Sequence, residues 1–396
     1  MKVLAISYLF PNNQYPNYGV FVRNRLLALQ KYCEIKVVNP VPWFPFSSSF
    51  SRYHNFNLIK RRENIQGLEV YHPRFPIIPR YLTLLNALSY CSVVLPLALR
   101  IKKKFPFDII DLHWTYPDLP VGYLLAKITA RPVIATVRGN EALYKQEPGV
   151  SKFLVSWLLK RTNHNVTLSS MLKEQCVKNG VVANKISVIR NGVDNKKFKF
   201  LEKMSSRAQL GLPASEYIIL SVGSLIYGKG FDRIIKALPG IIARLPNARL
   251  YIIGSEGAAG FYKNELLELT IKLGVQKNVL FVGEVENSDL QYWYNAADLF
   301  CLASRGEGSP NVLTEALCCG CPAVATDVGS VKDIMEESFM GKVIPNTDDV
   351  GSGIVEAIGK EYPRERISSH MVKYDWDWCA RQVLSVYEDV VSGVSS

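Results

Sequence analysis

Residues 299–326 read LFCLASRGEGSPNVLTEALCCGCPAVAT. Leu299–Leu302 is a short apolar run that ends in a loop of small and polar residues. Ser309-Pro310 carries a helix-start signature, with proline in the first turn, where its missing N–H costs nothing. Ala323–Thr326 is a second short apolar run. A strand, a loop, a helix and a strand in that order make one βαβ crossover, the connection that joins parallel strands.

The same alternation extends in both directions. C-terminal of residue 214, Tyr217–Val222, Arg249–Ile253 and Val279–Val282 complete a series of predicted strands, with helices over Phe231–Arg244, Phe261–Leu273 and Asp289–Ala296. In the first half, Val3–Tyr8, Ile35–Val38, Ile109–Leu112, Val133–Val137, Asn165–Leu168 and Ile186–Ile189 read as strands. Val20–Lys31, Leu119–Thr129, Lys152–Arg161 and Ser170–Asn179 read as helices. Two such series predict an α/β protein with two Rossmann-like domains. The expected boundaries are 1–200, 201–375 and a tail over 376–396, with the polar stretch Asn195–Ala214 as linker. In the tail, Trp376, Ala380, Val383, Leu384, Tyr387, Val390 and Val391 share one helical face, which should dock on a domain surface.

The chain has 396 residues, 48% of them hydrophobic, enough for two cores and unlike a disordered chain. Its net charge of +12 is unevenly placed: residues 1–200 hold 29 Lys and Arg against 10 Asp and Glu. The first half therefore suits an anionic partner such as a membrane surface, nucleic acid or a phosphorylated substrate. Tyr81–Leu99 has no charged residue and is flanked by Arg80, Arg100 and Lys102–Lys104. Four polar residues and Pro96 interrupt it, so a buried or membrane-surface helix is expected rather than a spanning one. MKVLAISYLFP at the start lacks a cleavage signal and reads as a first strand. Cys318, Cys319 and Cys321 have no matching pair nearby and read as buried thiols.

Ligands of doubly wound sheets bind beyond the carboxyl ends of strands. Four strand ends here carry chemistry. Ser221-Val-Gly-Ser-Leu-Ile-Tyr-Gly-Lys-Gly230 is a glycine-rich turn in which Gly223, Ser224 and Lys229 could meet an anion. It lacks the Walker A spacing. The loop before the helix opening near Ser309 carries Glu307, and Glu315 follows eight residues later. Unsatisfied N–H groups at that helix start, over Ser309, Asn311, Val312 and Leu313 with Pro310 setting the first turn, form a potential diphosphate site between two carboxylates. His113 ends a first-domain strand, and Arg138 with Glu141 follows another; Arg suits phosphate or carboxylate. Gly254–Gly260 has G-x-x-G-x-x-G spacing, not the dinucleotide pattern.

At these residues the chain resembles the GT-B glycosyltransferases of family 4. The resemblance rests on Pro11 and Gly19 after the first strand, Asn191-Gly-Val-Asp194, Gly223…Lys229-Gly230, Asn295-Ala-Ala-Asp298, and Glu307-x7-Glu315 with Ala316, Gly320 and Pro322. It is strongest for the branch that builds bacterial surface polysaccharides such as lipopolysaccharide or capsule.

The resemblance implies two facing Rossmann-like domains with a C-terminal helix crossing back to the first. It implies a retaining hexosyl transfer from a nucleotide-diphosphate sugar to a hydroxyl of a glycan or lipid-linked glycan. No metal or other cofactor is expected, and nucleic acid is not an expected partner. The second domain would bind the donor: Glu307 the sugar, Glu315 the ribose, Lys229 and the helix start the diphosphate. The first domain would bind the acceptor through Gly19, Arg138 and Glu141, with Glu307, His113 and Arg138 as catalytic candidates.

Ser224 stands where the family usually has Arg, for which Arg138 or Arg305 is a candidate substitute. Arg138 stands where many members have His. Arg stays protonated and is a poor base. The basic first domain predicts a cytoplasmic protein peripheral on the inner membrane face. Two other readings are a sugar-nucleotide epimerase on the same fold and a non-catalytic basic membrane adaptor; the adaptor leaves Glu307 and Glu315 unexplained.

Overall fold

The computed structural model describes residues 1–45, 55–77, 83–139, 150–256 and 262–393. Its contacts divide the chain into two compact units: Met1–Gly192 with Trp376–Ser396, and Val193–Asp375.

The first unit carries β1 (Lys2–Ile6), β2 (Glu34–Val38), β3 (Val41–Trp43), β4 (Arg62–Ile65), β5 (Leu68–Tyr71), β6 (Arg74–Pro76), β7 (Ile109–Leu112), β8 (Val133–Val137), β9 (His164–Thr167) and β10 (Ile186–Val188). Among the described residues, one sheet has the order β10-β9-β8-β7-β1-β2-β5-β4, and β3 pairs with β6. The large sheet is parallel except for the β4–β5 hairpin. Strands β7, β8 and β9 are buried at every position, so even Asp111, His164 and Asn165 within them are enclosed.

Helices α1 (Val20–Leu29), α2 (Thr83–Lys104), α3 (Asp118–Thr129), α4 (Val150–Leu159) and α5 (Ser170–Lys178) cover this sheet. One core holds Leu4, Ile6, Leu112 and Ala135 under α2, α3 and α4; another holds Val3, Ala5, Val37 and Ile109 under α1. Helix α2 is continuous through Pro96. Pro96 lies on the exposed side, where water can serve the carbonyl that loses its partner, while Tyr90, Val94, Ala98 and Ile101 anchor the opposite side.

The second unit contains α6 (Lys203–Leu210), α7 (Phe231–Arg244), α8 (Tyr262–Lys272), α9 (Leu290–Ala296), α10 (Asn311–Cys318), α11 (Val331–Ile334), α12 (Gly351–Ala357) and α13 (Arg364–Met371). Its strands are β11 (Tyr217–Val222), β12 (Ala248–Ile253), β13 (Val279–Gly283), β14 (Leu299–Leu302), β15 (Ala323–Thr326) and β16 (Gly341–Ile344). They form an all-parallel sheet in the order β13-β12-β11-β14-β15-β16. This is the dinucleotide-fold order 3-2-1-4-5-6, whose reversal point lies between β11 and β14.

The expected linker Asn195–Ala214 contains α6. Glu202 caps that helix through Met204 N and Ser205 N, and buried Arg207 bonds Ala296 O and Asp298. Asp298 also accepts from Lys203 and from Ile218 N, and Asn295 bonds Leu201 N and Lys199 O. The Asn295–Asp298 motif thus fastens α6 to the second sheet.

The last helix, α14 (Trp376–Ser392), packs against α1 within the first unit. Its buried side is Cys379, Ala380, Val383, Val386, Tyr387 and Val390, while Val391 faces out. Asp377, of the Asp375-Trp-Asp377 pair, bonds Lys31, Tyr32 and Arg381 at the helix start.

Candidate functional site

The reversal point of the second sheet brings together the two loops that carry its predicted donor residues. The glycine-rich turn follows β11, and the Glu307 loop follows β14. Gly230 has φ +68°, and a Cβ there would lie 1.9 Å from Ala303 O. Only glycine lets the turn approach the neighbouring loop so closely. Lys229 folds back over Gly223, and its Nζ lies 2.6 Å from Glu307 Oε1. Ser304 Oγ donates to the same oxygen at 2.7 Å. The Glu307 side chain is 11% exposed and that of Lys229 26%, so the pair lies at the rim of the unit, open to a ligand. Ser224 is exposed on the same turn.

The helix after this loop opens at Asn311, two residues later than Ser309, with Pro310 flanking it and no side chain capping the first turn. Glu307 is therefore on the loop rather than in the helix. Ser309 Oγ meets Ser330 Oγ at 3.0 Å, and Ser330 N donates to Gly308 O, which tie the loop to the residues after β15. Val312 is partly exposed and Leu313 is buried.

Glu315 lies one turn into α10. Tyr294 Oη, buried on α9, donates to its Oε2 at 2.9 Å. Burial pushes the Glu315 carboxyl up to about 7, against the pull of Tyr294 and the charge of Lys197.

Arg305 does not stand in for the missing cation at residue 224. Its guanidinium makes a bidentate pair with Asp232, both bonds at 2.8 Å, and stacks on the Tyr227 ring at 3.8 Å. Its charge is spent inside the protein. Sequence reading gave no sign of this pair, of Tyr294 or of Ser304, because each partner is remote in the chain or unremarkable in type.

In the first unit, the order β7-β1-β2 places a second reversal point between β1 and β7. Gly19 ends the loop after β1 with φ +73°, and a Cβ there would lie 2.7 Å from Leu9 O. His113 and Arg138 are brought together: Arg138 Nη2 lies 3.0 Å from His113 Nδ1, and Arg138 Nε donates to His113 O. Arg138 also reaches Asn191 Oδ1 and lies over the Phe21 ring. Because Arg can only donate, Nδ1 accepts and the ring proton sits on Nε2, 2.9 Å from Asp111 Oδ2. Tyr387 Oη donates to that same oxygen at 2.6 Å. Burial pushes the His113 pKa down, which keeps the ring neutral. His113 is wholly buried, Arg138 is nearly so, and Glu141 lies outside the described residues.

Two family models match the chain: the glycosyltransferase family 4 model over residues 19–197 and the glycosyl transferases group 1 model over 202–370. Together with the fold, they place the chain in the group 1, family 4 glycosyltransferases of GT-B architecture. An uncharacterized glycosyltransferase of Methanocaldococcus jannaschii is 29% identical over 343 residues, covering 82% of this chain and 86% of that one. The putative teichuronic acid biosynthesis glycosyltransferase TuaC of Bacillus subtilis is 26% identical over 375 residues, covering 93% and 90%. Among solved structures, Anabaena HepE in complex with UDP superposes with a TM-score of 0.75 at 19% identity, covering 98% of this chain and 100% of that one.

Proposed function

We propose that the protein is a retaining glycosyltransferase that moves a hexose from a nucleotide-diphosphate sugar to a hydroxyl of a glycan or lipid-linked glycan in cell-surface polysaccharide synthesis. The observation that carries the reading is the Lys229–Glu307 pair beside the opening of α10, at the reversal point of a dinucleotide-fold sheet. A cation and a helix start favour a diphosphate, and a carboxylate beside them favours sugar hydroxyls. The teichuronic acid biosynthesis role assigned to TuaC and the UDP in HepE support the same donor and product class. Glu315 takes the ribose, and the first unit takes the acceptor through Gly19, Arg138 and Glu141.

The test is a donor screen over nucleotide sugars, followed by product analysis. Transfer to an acceptor with the anomeric configuration kept is the expected result. Release of a rearranged free sugar would identify an epimerase instead. In this reading the leaving diphosphate is stabilised by Lys229 and the helix start, so turnover is expected to persist at full rate in excess EDTA. A loss restored by Mg²⁺ would contradict that.

The Glu315 carboxyl, neutral below about 7, must ionise to accept strongly from two ribose hydroxyls. Donor affinity is therefore expected to rise with pH through 7, and to fall by up to about tenfold per unit below it. Glu315→Gln should flatten that profile. A wild-type affinity that does not change between pH 5.5 and 8 would contradict the ribose role.

Membrane docking on the cytoplasmic face forms part of the proposal. Helices α2, α3 and α4 cover one face of the first sheet and expose Leu85, Leu88, Leu124, Ile128 and Phe153. The same helices carry exposed Arg100, Lys103, Lys104 and Lys127, and exposed Lys160 follows α4. Apolar anchors among basic residues suit an anionic bilayer surface. The protein is expected to float with phosphatidylglycerol vesicles at low salt and to be weakened by Leu88→Glu with Phe153→Glu. Failure to bind such vesicles at low salt would sink the idea.

A further inference from the structure

We propose that Arg305 is a positioning residue of the donor site: it fastens the glycine-rich turn to the Glu307 loop and so fixes where Lys229 meets Glu307. This rests on the reading of that pair as the diphosphate and sugar site.

The near half of the turn is held by the sheet. Gly223 N donates to Ile253 O, and Leu225 N to Ser255 O. The far half, Ile226–Lys229, leaves the sheet, and Ile226 and Tyr227 are exposed. Arg305 reaches this half from the other loop. Its Nη1 donates to Tyr227 O at 2.8 Å, its backbone N donates to Gly228 O at 2.8 Å, and its guanidinium lies flat against the Tyr227 ring. These contacts fall on the two residues just before Lys229. Arg305 sits two residues before Glu307. Arg305, by its side chain on Tyr227 and its backbone N on Gly228, thus joins the residues before Lys229 to the loop that carries Glu307.

The bridge is itself held in place. Asp232, in the first turn of α7, takes both guanidinium ends and also accepts from Tyr262 Oη and Lys236. Asn346 Nδ2 donates to Arg305 O, and its Oδ1 accepts from Arg233. The charges of Arg305 and Asp232 cancel, so the bridge leaves Lys229 as the cation turned toward Glu307. Lysine at position 305 could keep one ion pair but not the fork that grips Asp232 and the Tyr227 carbonyl together.

The test is calorimetric titration with inorganic pyrophosphate, a probe independent of base and sugar. It would compare wild type, Arg305→Met, Arg305→Lys, Lys229→Met and the Lys229→Met, Arg305→Met double variant. Thermal unfolding checks that each is folded, and Asp232→Asn replaces Arg305→Met if that variant does not fold. Arg305→Met is expected to bind about tenfold more weakly, Arg305→Lys to recover part of the loss, and the double variant to bind no worse than Lys229→Met alone. The last result separates positioning through Lys229 from general destabilisation. An equal added loss in the Lys229→Met background, or unchanged binding in folded Arg305→Met, would overturn the inference while leaving the donor reading intact. Wild type that does not bind pyrophosphate, or binds it no better than Lys229→Met, would overturn both.

Discussion

Glu307→Gln is expected to lower kcat by about 10³-fold, within the range for losing one preorganised electrostatic contact, while donor affinity changes little. The substitution preserves shape. Gln keeps an oxygen that can accept from Ser304 and Lys229, both of which now bond Glu307 Oε1. What it loses is the negative charge. Breaking the bond between a sugar and its diphosphate builds positive charge on the ring, and a carboxylate held beside it stabilises that state more than the ground state. The expected signature is therefore in kcat, with the measured donor Kd within a few fold of wild type. A Glu307→Gln enzyme with normal turnover would remove this residue from the chemistry.

Lys229→Met has the second large effect, of a different kind. The Lys229 ammonium faces Glu307, and with a sugar nucleotide bound it would serve the diphosphate as well. Ser224, where the family usually has Arg, supplies no charge on the same turn, and Arg305 is committed to Asp232. Removing Lys229 therefore leaves the turn without a cation for a doubly phosphorylated ligand. Affinity for a nucleoside diphosphate is expected to fall by about 10²-fold and kcat/KM by more, because the leaving diphosphate gains charge as the bond breaks. Lys229→Arg should restore part of the affinity. An unaltered Kd in Lys229→Met would show that the phosphates lie elsewhere.

Much of the architecture was legible because parallel sheets are buried on both faces. Ile109–Leu112, Val133–Val137, Tyr217–Val222, Leu299–Leu302 and Ala323–Thr326 are short runs dominated by apolar or β-branched residues, and the structure keeps those bounds. What escaped lies at edges and joints. Edge strands β4 and β16 are only four residues long, with mostly exposed or half-buried positions, and carry little apolar pattern. Helix α6 hides in a Lys-rich stretch because its cap is a glutamate and its central anchor, Arg207, is a buried charge. For the candidate site, Lys229, Glu307 and Glu315 stood out by loop chemistry and spacing. Their partners did not. Arg305 and Asp232 are 73 residues apart, and Tyr294 and Glu315 are 21 apart. Such pairs depend on which strand ends the topology makes neighbours, which no local pattern records. In the first unit, His113 is visible as a polar residue at a strand end, but its contact with Arg138, and the bond from Tyr387 to the Asp111 carboxylate beside it, join segments from across the chain.

A crystal structure with a hydrolysis-resistant nucleotide-diphosphate sugar locates the phosphates of the donor. Phosphate oxygens are expected within hydrogen-bond distance of Lys229 Nζ and of the first N–H groups of α10, with the sugar against Glu307 and the ribose against Glu315. The same compound bound in full occupancy away from α10, with Lys229 still closed on Glu307, would contradict this placement.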